Sequence, residues 1–295
     1  MATKQIKRFA SVDETQCVGC GNCIKACPRG AVSVPQGITA KVDREACVGC
    51  GLCAKACPAS VITIKEAERQ TAPPTKKTPP NKSGNGKKTR KWYDYLWIVS
   101  LTYLILGFVN ILFAWLGLIC FFVPLGISIV KGNKAYCNRY CGRGQLFDLL
   151  GNRFGLSRKR DIPRFLKSTA FRYGFLIFFL VMFGNMLFAT YLVFAGSGSL
   201  RQAVTLLWTF KLPWQFAYHG TLFAPWVAQF SFGFYSVMLT STVLGLVTML
   251  LFKPRSWCAY CPMGTMTQGI CRLKHRGERA QTATEGSAGP SGQQE

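Results

Sequence analysis

The chain has 295 residues, 49% apolar and 16% charged, with 36 Lys and Arg against 12 Asp and Glu and a formal charge of +24. That balance excludes a purely soluble protein and fits a chain with several membrane spans, while the length leaves room for two or three small units. The cations flank apolar segments, so the charge reads as span orientation and contact with anionic lipid headgroups, and argues against nucleic acid as a partner.

Of the 14 cysteines, eight fall before residue 58 in a regular array. Regular spacing reads as metal ligation rather than a disulfide framework, and it points to a reducing compartment. The first ten residues lack the apolar run of a signal peptide, so the N-terminus is expected in the cytoplasm. Residues 17–34 read CVGCGNCIKACPRGAVSV and residues 47–64 read CVGCGLCAKACPASVITI, a duplication at thirty residues. Each copy carries C-x2-C-x2-C-x3-C-P, the spacing in which three thiolates take three irons of a cubane and the fourth cysteine reaches the other cluster. One [4Fe-4S] cluster is therefore expected on Cys17, Cys20, Cys23 and Cys57, and a second on Cys47, Cys50, Cys53 and Cys27. Gly19, Gly21, Gly49 and Gly51 let the backbone wrap and turn its N–H groups toward sulfur, and Pro28 and Pro58 close each loop. A single tetrahedral zinc ion is hard to reconcile with two matched four-cysteine runs. Residues 12–65 resemble a bacterial two-cluster ferredoxin, and the resemblance implies a small α+β fold in which two hairpins pair with two short helices.

The ferredoxin unit is placed at 1–65, followed by a flexible basic linker at 66–91, rich in Pro, Lys and Gly, with a reach of about 25–30 Å. A membrane domain at 92–276 and a disordered polar tail at 277–295 complete the organisation, so the α+β head precedes an all-α bundle of about four spans. The apolar stretch Tyr95 to Val130 would be roughly 54 Å long as one helix, too long for one simple crossing. Either a hairpin turning near Phe113 to Gly117 or a tilted span with an interfacial helix after Pro124 fits. The cations between Lys131 and Arg172 put that segment inside, like the N-terminus, which favours an even number of crossings and hence the hairpin. Phe171 to Ala195 and Phe232 to Phe252 are the third and fourth spans. The loop between them holds only Arg201 and Lys211 as cations and is placed outside. Its aromatics, Trp208, Phe210, Trp214, Phe216, Tyr218, Phe223 and Trp226, suit segments lying in the headgroup belt, with lipid anchoring favoured over a quinone pocket.

After the expected hairpin comes Cys137-Asn-Arg-Tyr-Cys141, and after the last span Cys258-Ala-Tyr-Cys261-Pro. Both pairs fall at the same membrane face, so a bundle can join them around a third [4Fe-4S] cluster on Cys137, Cys141, Cys258 and Cys261. A redox-active dithiol pair, or two separate sites involving Cys271, are the competing readings. Cys271 is otherwise an inert thiol, and Cys120 reads as a small buried hydrophobe. Residues 95–272 resemble the polyferredoxin-type membrane proteins related to NapH and NosR, which implies electron exchange between a quinone pool or membrane partner and other carriers. Here the ferredoxin unit precedes the spans, Gly142 stands where that family has proline, and the second pair has two spacer residues.

His219 and His275 are the only histidines and cannot flank a haem; His219 could meet a quinone oxygen, though a surface role is the simpler reading. There is no dinucleotide or P-loop fingerprint, and the stretches Tyr95–Val130 and Phe171–Ala195 carry no acid for ion pumping. The sequence thus reads as a multi-pass protein of the inner (cytoplasmic) membrane, with head and C-terminus cytoplasmic. It would relay single electrons between a soluble carrier, ferredoxin- or flavodoxin-like, or a redox enzyme, and a membrane-complex partner or quinone. No catalytic residue is assigned. An assembly or metal-reduction factor for a respiratory complex and an iron–sulfur redox sensor are the alternatives.

Overall fold

A computed structural model describes residues 6–68, 92–207, 209–218 and 223–287. In the head, strand β1 (Ile6–Val12) pairs antiparallel with β4 (Ile62–Glu68), Val12 opposite Ile62. Between them lie α1 (Asn22–Ala26), the short strands β2 (Val32–Ser33) and β3 (Lys41–Val42), which pair with each other, and α2 (Leu52–Ala56). Only β2–β3 is a hairpin, a correction to the expected two. Each sheet joins the opening strand of one repeat to the closing strand of the other, so the second sheet is closed by the two ends of the head. The helices stop after five residues because a proline follows: Cys27 and Cys57 are extended, with ψ of 111° and 114°. The repeat persists in detail, with Asp13 accepting from Thr15 N (3.0 Å) and Asp43 from Glu45 N (2.9 Å). The expected linker start at Glu66 is early, since Glu66 continues β4 and accepts from Arg8 Nε at 2.7 Å. Residues 69–91, the rest of that linker, lie outside the described residues.

Four segments, Trp92–Val109, Ile111–Lys131, Thr169–Phe194 and Pro225–Leu251, are long and apolar enough to cross a membrane, as in a multi-pass membrane protein. The first pair forms a hairpin of α3 (Trp97–Val109) and α4 (Gly117–Lys131), joined by a 3-10 turn at Ile111–Leu116. Asn110 starts that turn by accepting from Leu112 N at 3.0 Å. The chain then re-enters the bundle through a π-helical turn (Tyr136–Tyr140) and α5 (Gly142–Asp148), and leaves through a second π-turn (Leu149–Arg153) and the single turn α6 (Arg164–Lys167). The long helices α7 (Thr169–Phe194) and α8 pack together, with α8 at Pro225–Leu251. Gly107 on α3 is pressed against the Tyr235 ring, whose hydroxyl donates to Leu104 O at 2.9 Å, so any side chain at Gly107 would part α3 from α8.

Two findings revise the all-α picture of this half. The connection between α7 and α8 does not lie flat: β5 (Ala203–Leu206) and β6 (Phe210–Pro213) form a hairpin that runs down α8. Its backbone is satisfied by α8 side chains, Arg201 N donating to Gln229 (2.9 Å), Thr205 N to Ser236 (3.0 Å) and Leu207 N to Thr240 (3.5 Å). Trp208 and His219 lie outside the described residues. Second, α9 (Pro262–Ser287) extends eleven residues into the expected tail, of which residues 288–295 lie outside the described residues. The helix is anchored where Lys274 Nζ donates to Ile129 O (3.0 Å) and Val130 O (2.8 Å), and His275 Nε2 meets Gly132 O at 2.9 Å, capping α4.

Candidate metal centres

In the head, Cys17, Cys20, Cys23 and Cys57 surround one cavity, and Cys27, Cys47, Cys50 and Cys53 a second. The closing cysteine of each repeat thus lies with the first three of the other. The loops close because Gly19 and Gly49 adopt left-handed backbone (φ 58° and 67°) with carbonyls and side chains so near that a Cβ at Gly49 would sit 2.5 Å from Arg8 Cβ. Ala40 N–H donates to Cys17 Sγ and Ala10 N–H to Cys47 Sγ, each at 3.4 Å, from equivalent places in opposite repeats. Burial, and secondly the neighbouring thiols, push the Cys20 and Cys23 thiols upward; burial does the same at Cys53 and Cys57. Iron bound here would replace these protons, and its hold would weaken toward acid. Among the described residues no three His, Cys, Asp or Glu side chains converge tightly enough for a single metal ion. A zinc ion draws its sulfurs in to about 2.3 Å, whereas a cubane binds each thiolate to a different iron and spreads them farther apart.

The base supplies four more thiols. Cys137 lies on the first π-turn and Cys141 opens α5, accepting from Gly144 N–H at 3.4 Å; Cys258 lies on a 3-10 turn (Ser256–Ala259) and Cys261 directly precedes α9. All four line one cavity of about 490 Å³, together with Val18 and Cys20 of the head. Burial pushes Cys137 and Cys261 up to about 11 and Cys258 to about 12, and the thiols raise one another: Cys258 feels Cys20, Cys141 and Cys137. Arg255, only 2% exposed, adopts left-handed backbone (φ 63°) at this junction. Burial opposes its charge, but Cys258, Cys20 and Cys141 more than offset that and raise its pKa. Its Nη2 donates to Cys137 O at 3.4 Å, while its buried Nε has no partner among the described residues. An orphaned cationic donor among buried thiols fits a site built for the sulfurs of a cluster.

The head is fixed on the base by hydrogen bonds. Lys134 donates to Val18 O (2.7 Å) through Nζ and to Gln36 O (3.0 Å) through its backbone N. Gln268 Nε2 donates to Cys17 O (2.9 Å) and Ile38 O (2.7 Å), while its Oε1 accepts from Arg172 (2.8 Å). Lys253 pairs with Asp161 at 2.6 Å, and Asp161 also accepts from Ser60 at 2.8 Å.

Residues 10–64 match the family model of a 4Fe-4S dicluster domain. The dicluster head is thereby an iron–sulfur electron-transfer unit of the ferredoxin type. Residues 113–163 and 236–278 match the family model of a 4Fe-4S binding domain, and these two segments carry Cys137 with Cys141 and Cys258 with Cys261. No curated protein and no solved structure matches the chain.

The remaining cysteines separate from these sets. Cys271 is fully buried on α9 and bonds Ser128 of α4. Cys120 is exposed on the cavity side of α4, a correction to its expected burial: the α3–α4 hairpin is open there instead of closed by packing. Sequence reasoning missed Arg255, Lys134, Gln268 and Arg172. Nothing in their local sequence marks them, since each acquires its partners from segments far along the chain.

Proposed function

We propose that the chain is a membrane-anchored electron relay, with clusters on the two crossed cysteine sets of the head and a third on Cys137, Cys141, Cys258 and Cys261. The observation that carries this reading is that Cys20 of the head and the four base cysteines line one cavity, with Arg255 at the junction. The clusters supply one-electron storage when bound. The chain's own residues do the rest: Gln268 and Lys134 hold the head in place, Trp257 and Tyr260 exclude water, and Arg255 holds positive charge between the thiol sets. The outer set, where Cys50 is exposed, faces a soluble ferredoxin- or flavodoxin-like carrier, and the inner set a membrane-complex partner or quinone. The base is read as a relative of the NapH- and NosR-related proteins, in the inner membrane with head and C-terminus cytoplasmic. An assembly factor or a sensor has no need for the head and base thiols to adjoin.

The test is iron and acid-labile sulfide per chain, with EPR after dithionite reduction, on anaerobically purified protein and on a Cys137→Ala, Cys258→Ala variant. About twelve irons falling to about eight, with the head signals intact, is the expected outcome. Eight irons in both proteins would overturn the third site.

A further inference from the structure

The β5–β6 hairpin has two edges, and only one of them is covered. β5 is held by α8, with Thr205 N donating to Ser236 and Leu207 N to Thr240. In an antiparallel ladder, opposed residues that exchange both backbone bonds alternate with opposed residues that exchange none. Trp214 N donates to Gln202 O, which makes Gln202 and Trp214 a bonded pair; two steps along, Val204 and Leu212 are bonded, and the next pair, Thr205 and Lys211, is not. Thr205 therefore turns its N–H toward α8, as observed. Lys211 turns its N–H and C=O the other way, out of the hairpin. All four residues of β6 are exposed, Phe210 at 65%.

Depth makes that edge costly. The 27 residues of α8 give it a length of about 40 Å against a hydrocarbon core of about 30 Å, and Ser236 lies 11 residues, about 16 Å, from Pro225 at the end away from the head. With α8 centred on that core, Lys211 sits roughly 10 Å inside its outer boundary and the turn of the hairpin near the midplane. An ammonium group can bend toward the headgroups, but a backbone N–H and C=O cannot, and an open sheet edge does not persist in hydrocarbon. The Lys211 side chain has no hydrogen bond or ion pair among the described residues. Arg143, the cation that α5 carries into the bundle, is held there, donating to Ser241 Oγ at 2.6 Å. The fold satisfies one cation and leaves the other, with its backbone, facing out.

We propose that the free edge of β6 docks a membrane-spanning helix of another chain, apolar except for one Asp or Glu that pairs with Lys211 and a nearby hydroxyl or amide side chain that takes up its backbone. α8 already serves the opposite edge in this way, through Gln229, Ser236 and Thr240. A second copy of this chain does not fit. Its helices α3, α4, α7 and α8 carry no Asp or Glu. Lys211 has the one outward N–H of β6, since Pro213 has none, so β6 paired with its own copy would set Lys211 against Lys211. The surface is separate from the relay, because no residue of β5 or β6 lines the cavity of the base thiols. The inference rests only on the four apolar helices spanning a bilayer.

The test is photocrosslinking of the full chain in native membranes, with benzoylphenylalanine in place of Phe210 and, as a control, in place of Phe188, which is 59% exposed on α7. The control position is expected to label phospholipid. Position 210 is expected to give one adduct with another chain, mapping by peptide sequencing to an apolar span that holds an Asp or Glu. Lys211→Met should lower that adduct at least tenfold and Lys211→Arg should keep it, while hydrogen exchange in residues 203–206 stays protected in both. Exchanging the charges, Lys211→Asp here and acid to lysine in the other chain, should restore what either change alone removes. No adduct at position 210, or an adduct with phospholipid only, with a second copy of this chain or with a span lacking an acid, would overturn the docking site. An adduct undiminished in Lys211→Met would do the same. Absence of phospholipid at the control position would sink the membrane reading, and the docking site with it.

Discussion

At the scale of single residues, Arg255 is the side chain on which the proposed relay most depends. With clusters on the head and base thiols as proposed, its fixed positive charge would favour their reduced, more negative states, and burial leaves that charge poorly screened. Arg255→Gln should therefore lower the midpoint potential of the cluster on the base cysteines, on the order of 60 mV, a tenfold change for one electron. Arg255→Lys should retain most of the potential. An EPR-monitored redox titration of the three proteins checks this, and equal potentials in all of them would remove Arg255 from any electrostatic role. Gly144 belongs to the same argument, because a Cβ there would meet Arg255 Nη2 at 3.0 Å. Among single residues, the gathering of the eight head cysteines around two cavities was legible in the sequence because their spacing is local and repeated. Arg255 was not, because its neighbours come from the head, from α5 and from the turn before α9.

At the scale of elements, the β5–β6 hairpin is the instructive case. A strand pair beside an apolar helix leaves N–H groups without water, and each unpaired one costs about 1–3 kcal/mol. Gln229, Ser236 and Thr240 answer this by recurring at seven and four residues along one face of α8. That polar stripe in an otherwise apolar span was the available signal for the hairpin, and the density of tryptophan and phenylalanine in the loop obscured it. Ser236→Ala combined with Thr240→Val should destabilise the hairpin by about 2–6 kcal/mol on that accounting. The expected readout is hydrogen exchange in residues 203–213 rising by at least tenfold while α7 stays protected; unchanged exchange would mean that the hairpin is held by packing of Val204 alone. The four apolar helices were legible for the opposite reason: length and composition suffice to specify them.

At the scale of the whole molecule, the head is docked on the base by polar contacts. Gln268 joins the two halves by donating to Cys17 O and Ile38 O while Arg172 holds its other end. Gln268→Leu strands both carbonyls and the arginine, so the head should detach: spin–spin broadening between head and base clusters should be lost, with the iron count unchanged. Broadening that survives would show that Lys134 and Lys253 suffice for docking. Composition reveals a tether but not whether its cargo is docked, because docking depends on a few polar contacts between segments more than a hundred residues apart. One consequence follows from where Arg143 ends up. Its partner Ser241 lies ten residues from the head-side end of α8, about 15 Å along the axis, or half of a hydrocarbon core of about 30 Å. An electron passed from the head to an acceptor at that depth would cross about half of the membrane voltage, worth about 1 kcal/mol per 100 mV. With the head on the negative side, an energised membrane would pull electrons toward such an acceptor and a discharged one would release them, so the direction of flow would answer to voltage as well as to cluster potential.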